Sequence, residues 1–91
     1  IPPFIGVSIP LKNIYGGIIL SIFSERLKDT RLKNKISQKQ IAQDIGISES
    51  LYQYYEYDKR EPSIGNFAKL CEYFNISADY LLGFSNDPTR H

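Results

Sequence analysis

The 91-residue sequence contains one cysteine and one histidine, and it contains no methionine and no tryptophan. Cys71 has no partner for an internal disulfide, so a small secreted scaffold that depends on bridges is excluded. One cysteine and the terminal His91 are also too few to build a zinc site within the chain. We therefore expect a metal-free domain in a reducing cytoplasm.

Long apolar runs are also missing. Lys12 interrupts the apolar N-terminal part, and neither side reaches the roughly 20 residues that a membrane span requires. Pro2, Pro3 and Pro10 break the same region and no basic cluster precedes it, which argues against a signal peptide. Since no nucleophile–base set, metal cluster or phosphate loop is visible, we expect no enzyme, no cofactor and no small-molecule ligand.

The net charge of +1 hides an uneven distribution of charge along the chain. Residues 25–40 carry six basic and two acidic side chains, whereas residues 41–91 carry four basic and eight acidic ones. A basic block of this kind forms either a surface for a polyanion or a solvated lysine-rich helix face. Charge alone does not decide between these two interpretations.

Residues 1–20 differ from the rest of the chain. They contain three prolines, three glycines and one charged residue, and they show no helical periodicity. We therefore predict a non-helical apolar arm that ends at Gly16-Gly17, ahead of a first helix beginning at Ser21.

The absence of methionine leaves two interpretations of this arm open. Gly16-Gly17 can be encoded by GGAGGN, a bacterial ribosome-binding sequence, and Leu20 by TTG, an alternative start codon. On that interpretation residues 1–19 are translated leader sequence and the natural protein begins at Leu20. On the other interpretation the segment is a genuine dimerisation arm.

From Ser21 onward the sequence predicts five short helices and an all-α fold. In the first helix Phe23, Leu27 and Arg31 recur at four-residue spacing, and the helix ends near Asn34. The later helices have serine at their N-caps and glycine or asparagine at their C-terminal ends. These residues are Ser37, Ser48, Ser63 and Ser77, and Gly46, Asn75 and Gly83; Ser37 and Gln40 also match a capping box.

Apolar residues at helical spacing predict the core. In the second and third helices they are Ile41, Ala42, Ile45, Leu51, Tyr52 and Tyr55, and in the fourth Ile64, Phe67, Ala68, Cys71 and Phe74.

The segment from Gln38 to Tyr57 is the most informative about function. Two helices joined only by Gly46, Ile47 and Ser48 must cross steeply, which requires a small residue at their contact and a turn residue that accepts positive φ. Ala42 and Gly46 meet these two requirements. The spacing is that of a DNA-binding helix-turn-helix, whose second helix enters the major groove.

Residues 22–84 resemble the helix-turn-helix domain of phage repressors and Cro proteins, the Cro/C1-type (XRE-like) family of bacterial regulators. The matching residues are Ser37-Gln38, Ile41-Ala42, Gly46-Ile47-Ser48, Tyr55-Glu56, Lys59-Arg60, Pro62-Ser63 and residues 77–83. The resemblance implies a compact five-helix, lambda-repressor-like domain over residues 21–84 and a C-terminal tail at 85–91. It also implies a regulator, a repressor, that binds an inverted-repeat operator as a homodimer at the nucleoid of the bacterial cytoplasm.

The resemblance further implies roles for single residues, with plain solvated surface as the alternative for each DNA contact. Gln38 corresponds to a phosphate-clamping glutamine, so its replacement is expected to weaken binding to all sequences about equally. The base-reading positions correspond to Glu49, Ser50, Gln53 and Tyr54. Ser37, Lys39, Lys59 and Arg60 are assigned to the DNA backbone, and Arg31 and Glu56 to a structural ion pair.

The chain departs from the family pattern at Asp58 and in its tyrosines, of which residues 51–57 contain four, more than is usual. Asp58 stands where glycine is frequent, so the turn after the third helix is expected to differ.

Tyr54, Tyr57 and the apolar arm favour a second function, a protein-interaction module such as an antitoxin. A salt titration discriminates between the two functions, because phosphate binding weakens steeply as salt rises.

Overall fold

The computed structural model describes residues 11–90, with side chains described from Gly17 onward. Five helices follow one another: α1 (Leu11–Lys33), α2 (Gln38–Ile45), α3 (Glu49–Glu56), α4 (Ile64–Phe74) and α5 (Ala78–Leu82). This part of the chain contains no strand, and none of its helices is both long and apolar enough to span a bilayer. The predicted five-helix, all-α fold is confirmed.

The four predicted serine N-caps are confirmed. Each serine has an extended backbone, and its side-chain oxygen accepts a hydrogen bond from the backbone N–H three residues further on. These bonds satisfy donors that the first turn of a helix leaves unpaired. The capping box at α2 is only half formed, because Gln40 Nε2 donates to Asp44 Oδ1 at 2.7 Å instead of reaching back to Ser37.

The predicted arm is wrong where it meets α1. Residues 11–20 are helical, so Ser21 lies inside α1 and does not cap it. Gly16 and Gly17 did not end the helix, because a glycine weakens a helix by only about 1 kcal/mol and no proline accompanies them. Leu20, the last of these residues, packs against the core. Residues 1–10 lie outside the described residues, and the leader interpretation stays a prediction.

The core is built from apolar side chains of all five helices. Its fully buried members include Phe23 and Leu27 of α1, Ile41 of α2, Tyr52 of α3, Leu70 of α4 and Leu81 of α5. The ring centroid of Phe23 lies 6.4 Å from that of Tyr55, edge-on, and 5.8 Å from that of Phe67. Aromatic pairs favour such tilted contacts, so Phe23 joins α1 to both α3 and α4.

The predicted inward face of α4 needs one correction. Ile64 is 91% exposed and Ala68 is also exposed, whereas Leu70 is fully buried. The inward stripe consists of Phe67, Leu70, Cys71 and Phe74, at the three- and four-residue spacing of a helix face. Ile64 is the first residue of α4, and its side chain lies outside the core, exposed to solvent.

The turn after α3 is closed by an aspartate in a conformation that usually favours glycine. Asp58 has a φ of 63°, and its Oδ2 accepts a hydrogen bond from Ser21 Oγ at 2.9 Å. The Lys59 N–H donates to the Tyr54 carbonyl at 3.0 Å. Aspartate tolerates left-handed backbone better than most residues, and the contact with α1 holds the turn in place.

The segment after α5 folds back on the domain. Arg26 Nη1 donates to the carbonyls of Tyr80 and Ser85, at 2.5 Å and 2.6 Å, and its Nη2 donates to Asn86 Oδ1 at 3.0 Å. The guanidinium also lies 4.2 Å from the centroid of the Tyr80 ring, a favourable cation–π contact. Arg26 of α1 therefore holds the beginning of the predicted tail, at Ser85 and Asn86, against the helices.

We predict that Gly83→Ala destabilises the domain more than Gly46→Ala. Both glycines have positive φ, 85° and 79°, so alanine costs about 1–2 kcal/mol of backbone strain at either position. At Gly83 the added Cβ would lie 2.9 Å from Ile22 Cδ1 and 3.1 Å from Ile22 Cγ2, whereas at Gly46 it would meet nothing within 4 Å. Urea unfolding followed by circular dichroism measures both losses, and equal losses would contradict the prediction.

Candidate nucleic-acid interface

The turn between α2 and α3 consists of three residues. Gly46 has a φ of 79°, and its N–H donates to the Ala42 and Gln43 carbonyls. The Ile47 N–H donates to the same Ala42 carbonyl at 3.0 Å, which ends α2 abruptly. Ser48 then starts α3 at once, accepting from the Leu51 N–H at 3.1 Å. The two helices are therefore joined by their cap residues and Ile47 alone, with no additional loop.

The helix α3 has a buried face and an exposed face. Tyr52 and Tyr55 point into the core. Glu49, Ser50 and Tyr54 are exposed, and Gln53 beside them is half-buried. The structure therefore brings all four residues predicted to read bases to the outer side of one short helix.

The residues predicted to contact the DNA backbone lie at two places. Ser37, Gln38 and Lys39 stand at the beginning of α2, and Lys59 and Arg60 follow the end of α3. Of these five residues only Gln38 is half-buried; the others are exposed.

A concavity of about 440 Å³ is lined by residues of α1, of the beginning of α2 and of both ends of α3. Ser37, Gln38 and Lys39 line it, and so does Lys28 of α1, which sequence reasoning missed. A signal for Lys28 was present, because it stands three residues before Arg31 and such residues share one helix face. Lys28 therefore joins the candidate interface.

Beneath this concavity the carboxylate of Glu56 is fully buried and accepts four hydrogen bonds. Arg31 Nε donates to Oε2 at 2.5 Å and Arg31 Nη2 to Oε1 at 3.1 Å. The Tyr52 hydroxyl donates to Oε2 at 2.5 Å and Gln38 Nε2 to Oε1 at 3.0 Å. The structure thus places Arg31 and Glu56 in a bidentate ion pair, and both carboxylate oxygens have two donors each.

The donors around Glu56 keep it charged. Burial by itself would raise the pKa of this carboxyl, but the hydrogen bonds from Arg31, Tyr52 and Gln38 together lower it below its usual value. Burial and the bond to Glu56 raise the pKa of Tyr52, so its hydroxyl keeps the proton that it donates. A buried carboxylate is tolerated only when it is paired and hydrogen-bonded in this way.

Gln38 connects this buried group to the exposed face of α3. Its Oε1 accepts a hydrogen bond from Gln53 Nε2 at 3.2 Å, while its own Nε2 is directed at Glu56. A residue predicted to hold phosphate and a residue predicted to read a base are thus in direct contact. No sequence signal indicated this contact, because the two residues are 15 positions apart on different helices.

Comparison with known proteins agrees with this geometry. A family model described as a helix-turn-helix domain matches residues 24–83. The HTH-type transcriptional regulator YobD of Bacillus subtilis is 33% identical over 67 residues, which cover 74% of this chain and 60% of YobD. The regulator ImmR of the same organism is 39% identical over 59 residues, 65% of this chain and 46% of ImmR.

Solved structures show the same likeness. The SOS-response repressor LexA of Eubacterium rectale has a TM-score of 0.69 and 31% identity, over 71% of this chain and 69% of that one. The restriction-modification controller protein C.AhdI of Aeromonas hydrophila has a TM-score of 0.63 and 29% identity, over 68% of this chain and 94% of that one.

The fold and the candidate interface define a helix-turn-helix domain. The chain belongs to the Cro/C1-type (XRE-like) helix-turn-helix family. It spans 60% of the length of YobD and less than half of that of ImmR.

We predict that acid destabilises the domain through Glu56. Its pKa in the folded state lies below the ordinary value of 4.5, so the folded state binds this proton less readily than the unfolded state does. The stabilisation is therefore fully present above about pH 4.5 and is lost as the pH falls through the lower folded-state pKa. Urea unfolding measured across this pH range should show the loss.

The matched comparison uses Glu56→Gln and Glu72→Gln. Glu56→Gln should be less stable than the wild type at neutral pH and should lose less stability on acidification. Glu72 is an exposed glutamate paired with Arg90 at 2.8 Å, and exposed pairs contribute little, so Glu72→Gln should keep the wild-type acid dependence. The same acid dependence in all three proteins would rule out Glu56 as its source.

Proposed function

We propose that this protein is a sequence-specific DNA-binding transcriptional regulator, a repressor, that inserts α3 into the major groove of an operator. The observation that carries the proposal is the three-residue turn that presents the exposed polar face of α3. An α-helix fits the major groove of B-DNA, where each base pair has a distinct pattern of donors and acceptors. In support, the RstR protein of Vibrio cholerae, 37% identical over 59 residues, is named a cryptic phage transcriptional repressor.

The charges around α3 suit a DNA backbone. Lys28 and Lys39 border it on the side of α2, and Lys59 and Arg60 follow its C-terminus. Basic side chains in such flanks bind phosphates and orient the protein on the duplex. Glu49 faces the groove with a negative charge, which lowers attraction to DNA in general and leaves more of the affinity to specific contacts.

The groove-facing side chains have complementary capacities. Gln53 can pair with adenine through both amide atoms, and Glu49 can accept a hydrogen bond from cytosine N4. Ser50 can bond several bases, and Tyr54 can contact a thymine methyl group or a phosphate. Ser37 and Gln38 supply polar groups at the start of α2, where helix geometry favours phosphate.

A homodimer in the bacterial cytoplasm, acting at the nucleoid, is part of this proposal. One domain of this size contacts one face of the duplex, so two copies on an inverted repeat give tight binding. Leu82, at the end of α5, and Phe84, which is 67% exposed, form the dimer surface that we propose.

We predict that selection from random duplexes recovers an inverted repeat. The half-site centres should lie about 10–10.5 bp apart, one turn of the duplex, because two symmetric copies must enter successive major grooves on one face. Affinity for the selected site should fall steeply as salt rises, since phosphate contacts release counterions. A single asymmetric half-site would contradict the homodimer, and affinity independent of salt would contradict DNA as the partner.

We predict that Gln53→Ala relaxes the base preference at one position of each half-site. The loss of discrimination should be about 1–3 kcal/mol, the value of one bidentate contact. Lys59→Ala is the control, because loss of a phosphate contact should weaken all sequences about equally and lower the salt slope by about 1. Competition titrations with single-base variants of the site measure both effects, and an unaltered preference in Gln53→Ala would exclude Gln53 as a base-reading residue.

A further inference from the structure

We propose that Glu56 is a positioning residue for base recognition: acting through Gln38, it determines which amide atoms Gln53 presents to the major groove. The inference deepens the proposed function and rests on it, since it assumes that Gln53 faces a base. It assigns a recognition role to Glu56, a buried residue that acts through its hydrogen bond with Gln38.

The first step is the chemistry of the carboxylate. Ionised Glu56 can only accept hydrogen bonds, and its environment keeps it ionised, with four donors at 2.5–3.1 Å. The amide of Gln38 has an oxygen and an NH2 group at its end, and either could in principle face inward. Only the NH2 group can bond a carboxylate, so Gln38 must direct Nε2 at Glu56 and Oε1 away from it.

The second step carries this orientation to α3. Gln38 Oε1 is an acceptor, and it lies 3.2 Å from Gln53 Nε2. Gln53 must therefore turn its own NH2 group toward Gln38. Because that bond uses one of the two N–H groups of Nε2, the second N–H and the Oε1 acceptor remain for a base.

This pair of atoms is the one that adenine requires. Adenine offers a donor at N6 and an acceptor at N7 in the major groove, and a glutamine amide satisfies both in one orientation. A reversed Gln53 would place its Oε1 against the Oε1 of Gln38, so that two acceptors would face each other. Reversing Gln38 as well would place its Oε1 against the buried carboxylate of Glu56. The carboxylate would lose a hydrogen-bond donor, and a buried charge without its donors is strongly destabilising.

The structure therefore links amide orientation at the surface to a fixed charge in the interior. A glutamine on a free helix surface exchanges between both orientations and pairs equally well with different bases. Here one orientation is selected before DNA arrives, which favours adenine at the position that Gln53 reads.

The test is the base preference of Gln38→Ala. If Gln38 only holds a phosphate, this variant binds every sequence more weakly by the same factor. If it also orients Gln53, its discrimination at the Gln53 position should fall at least about five-fold, the low end of one bidentate contact, while other positions keep their preferences. Competition titrations with single-base variants of the selected operator separate these results, and a uniform loss would overturn the proposal.

Two further variants separate positioning from stability. Glu56→Gln keeps the size of the side chain but supplies both a donor and an acceptor, so it should relax the same position while circular dichroism shows the helices retained. Tyr52→Phe removes a different donor to Glu56 and leaves both glutamine bonds in place. It should lower stability without altering base preference; relaxation of the same position in Tyr52→Phe would overturn the proposal. If Glu56→Gln does not fold, the decision rests on Gln38→Ala, which leaves the ion pair intact.

Gln43→Ala is the matched control for Gln38→Ala, because Gln43 is an exposed glutamine of the same helix. It should bind the operator like the wild type. Failure of the inference can be told from failure of the proposed function by Gln53→Ala. If wild-type preference is lost in Gln53→Ala but kept in Gln38→Ala, only the positioning role is overturned; if the wild type prefers no duplex sequence, both proposals are overturned.

Discussion

The buried carboxylate of Glu56 is the interaction on which the geometry of the interface depends. It lies in the last turn of α3, where the helix dipole disfavours negative charge, and it is removed from water. Its donors come from α1, from the start of α2 and from the preceding turn of α3. An unpaired charge at this place would be costly, so the three helices must keep their relative positions for the charge to remain satisfied.

Apolar packing and local backbone geometry support this cluster. Phe23 packs against the rings of Tyr55 and Phe67, and Gly46 ends α2 where α3 must begin. The inward side of α3 is occupied by tyrosines and by the ion pair, and its outward side carries the exposed Glu49, Ser50 and Tyr54. The surface residues of α3 are available for recognition. The buried Glu56 orients one of them, Gln53, through Gln38.

Much of the local structure could be predicted from the sequence. Serine caps are local features and located the beginnings of α2 to α5 correctly. Left-handed residues located the ends of α2, α4 and α5 in the same way. The prediction failed at three places, each for its own reason. Glycine weakens a helix too little to end α1 at Gly16 and Gly17. Gln40 bonds Asp44, one turn further along α2, and not the backbone. The inward stripe of α4 runs through Leu70 and leaves Ile64 exposed.

The sequence by itself determined the five-helix pattern, the three-residue turn and the residue types available for reading bases, because these depend on spacings of a few residues. The resemblance to known regulators paired Arg31 with Glu56. Only the tertiary structure decided that Gln38 bonds both Glu56 and Gln53, and that Lys28 lines the same concavity. Those contacts join residues of different helices. Their distances depend on the angles at which the helices cross, and these angles cannot be predicted from residue spacing along the chain.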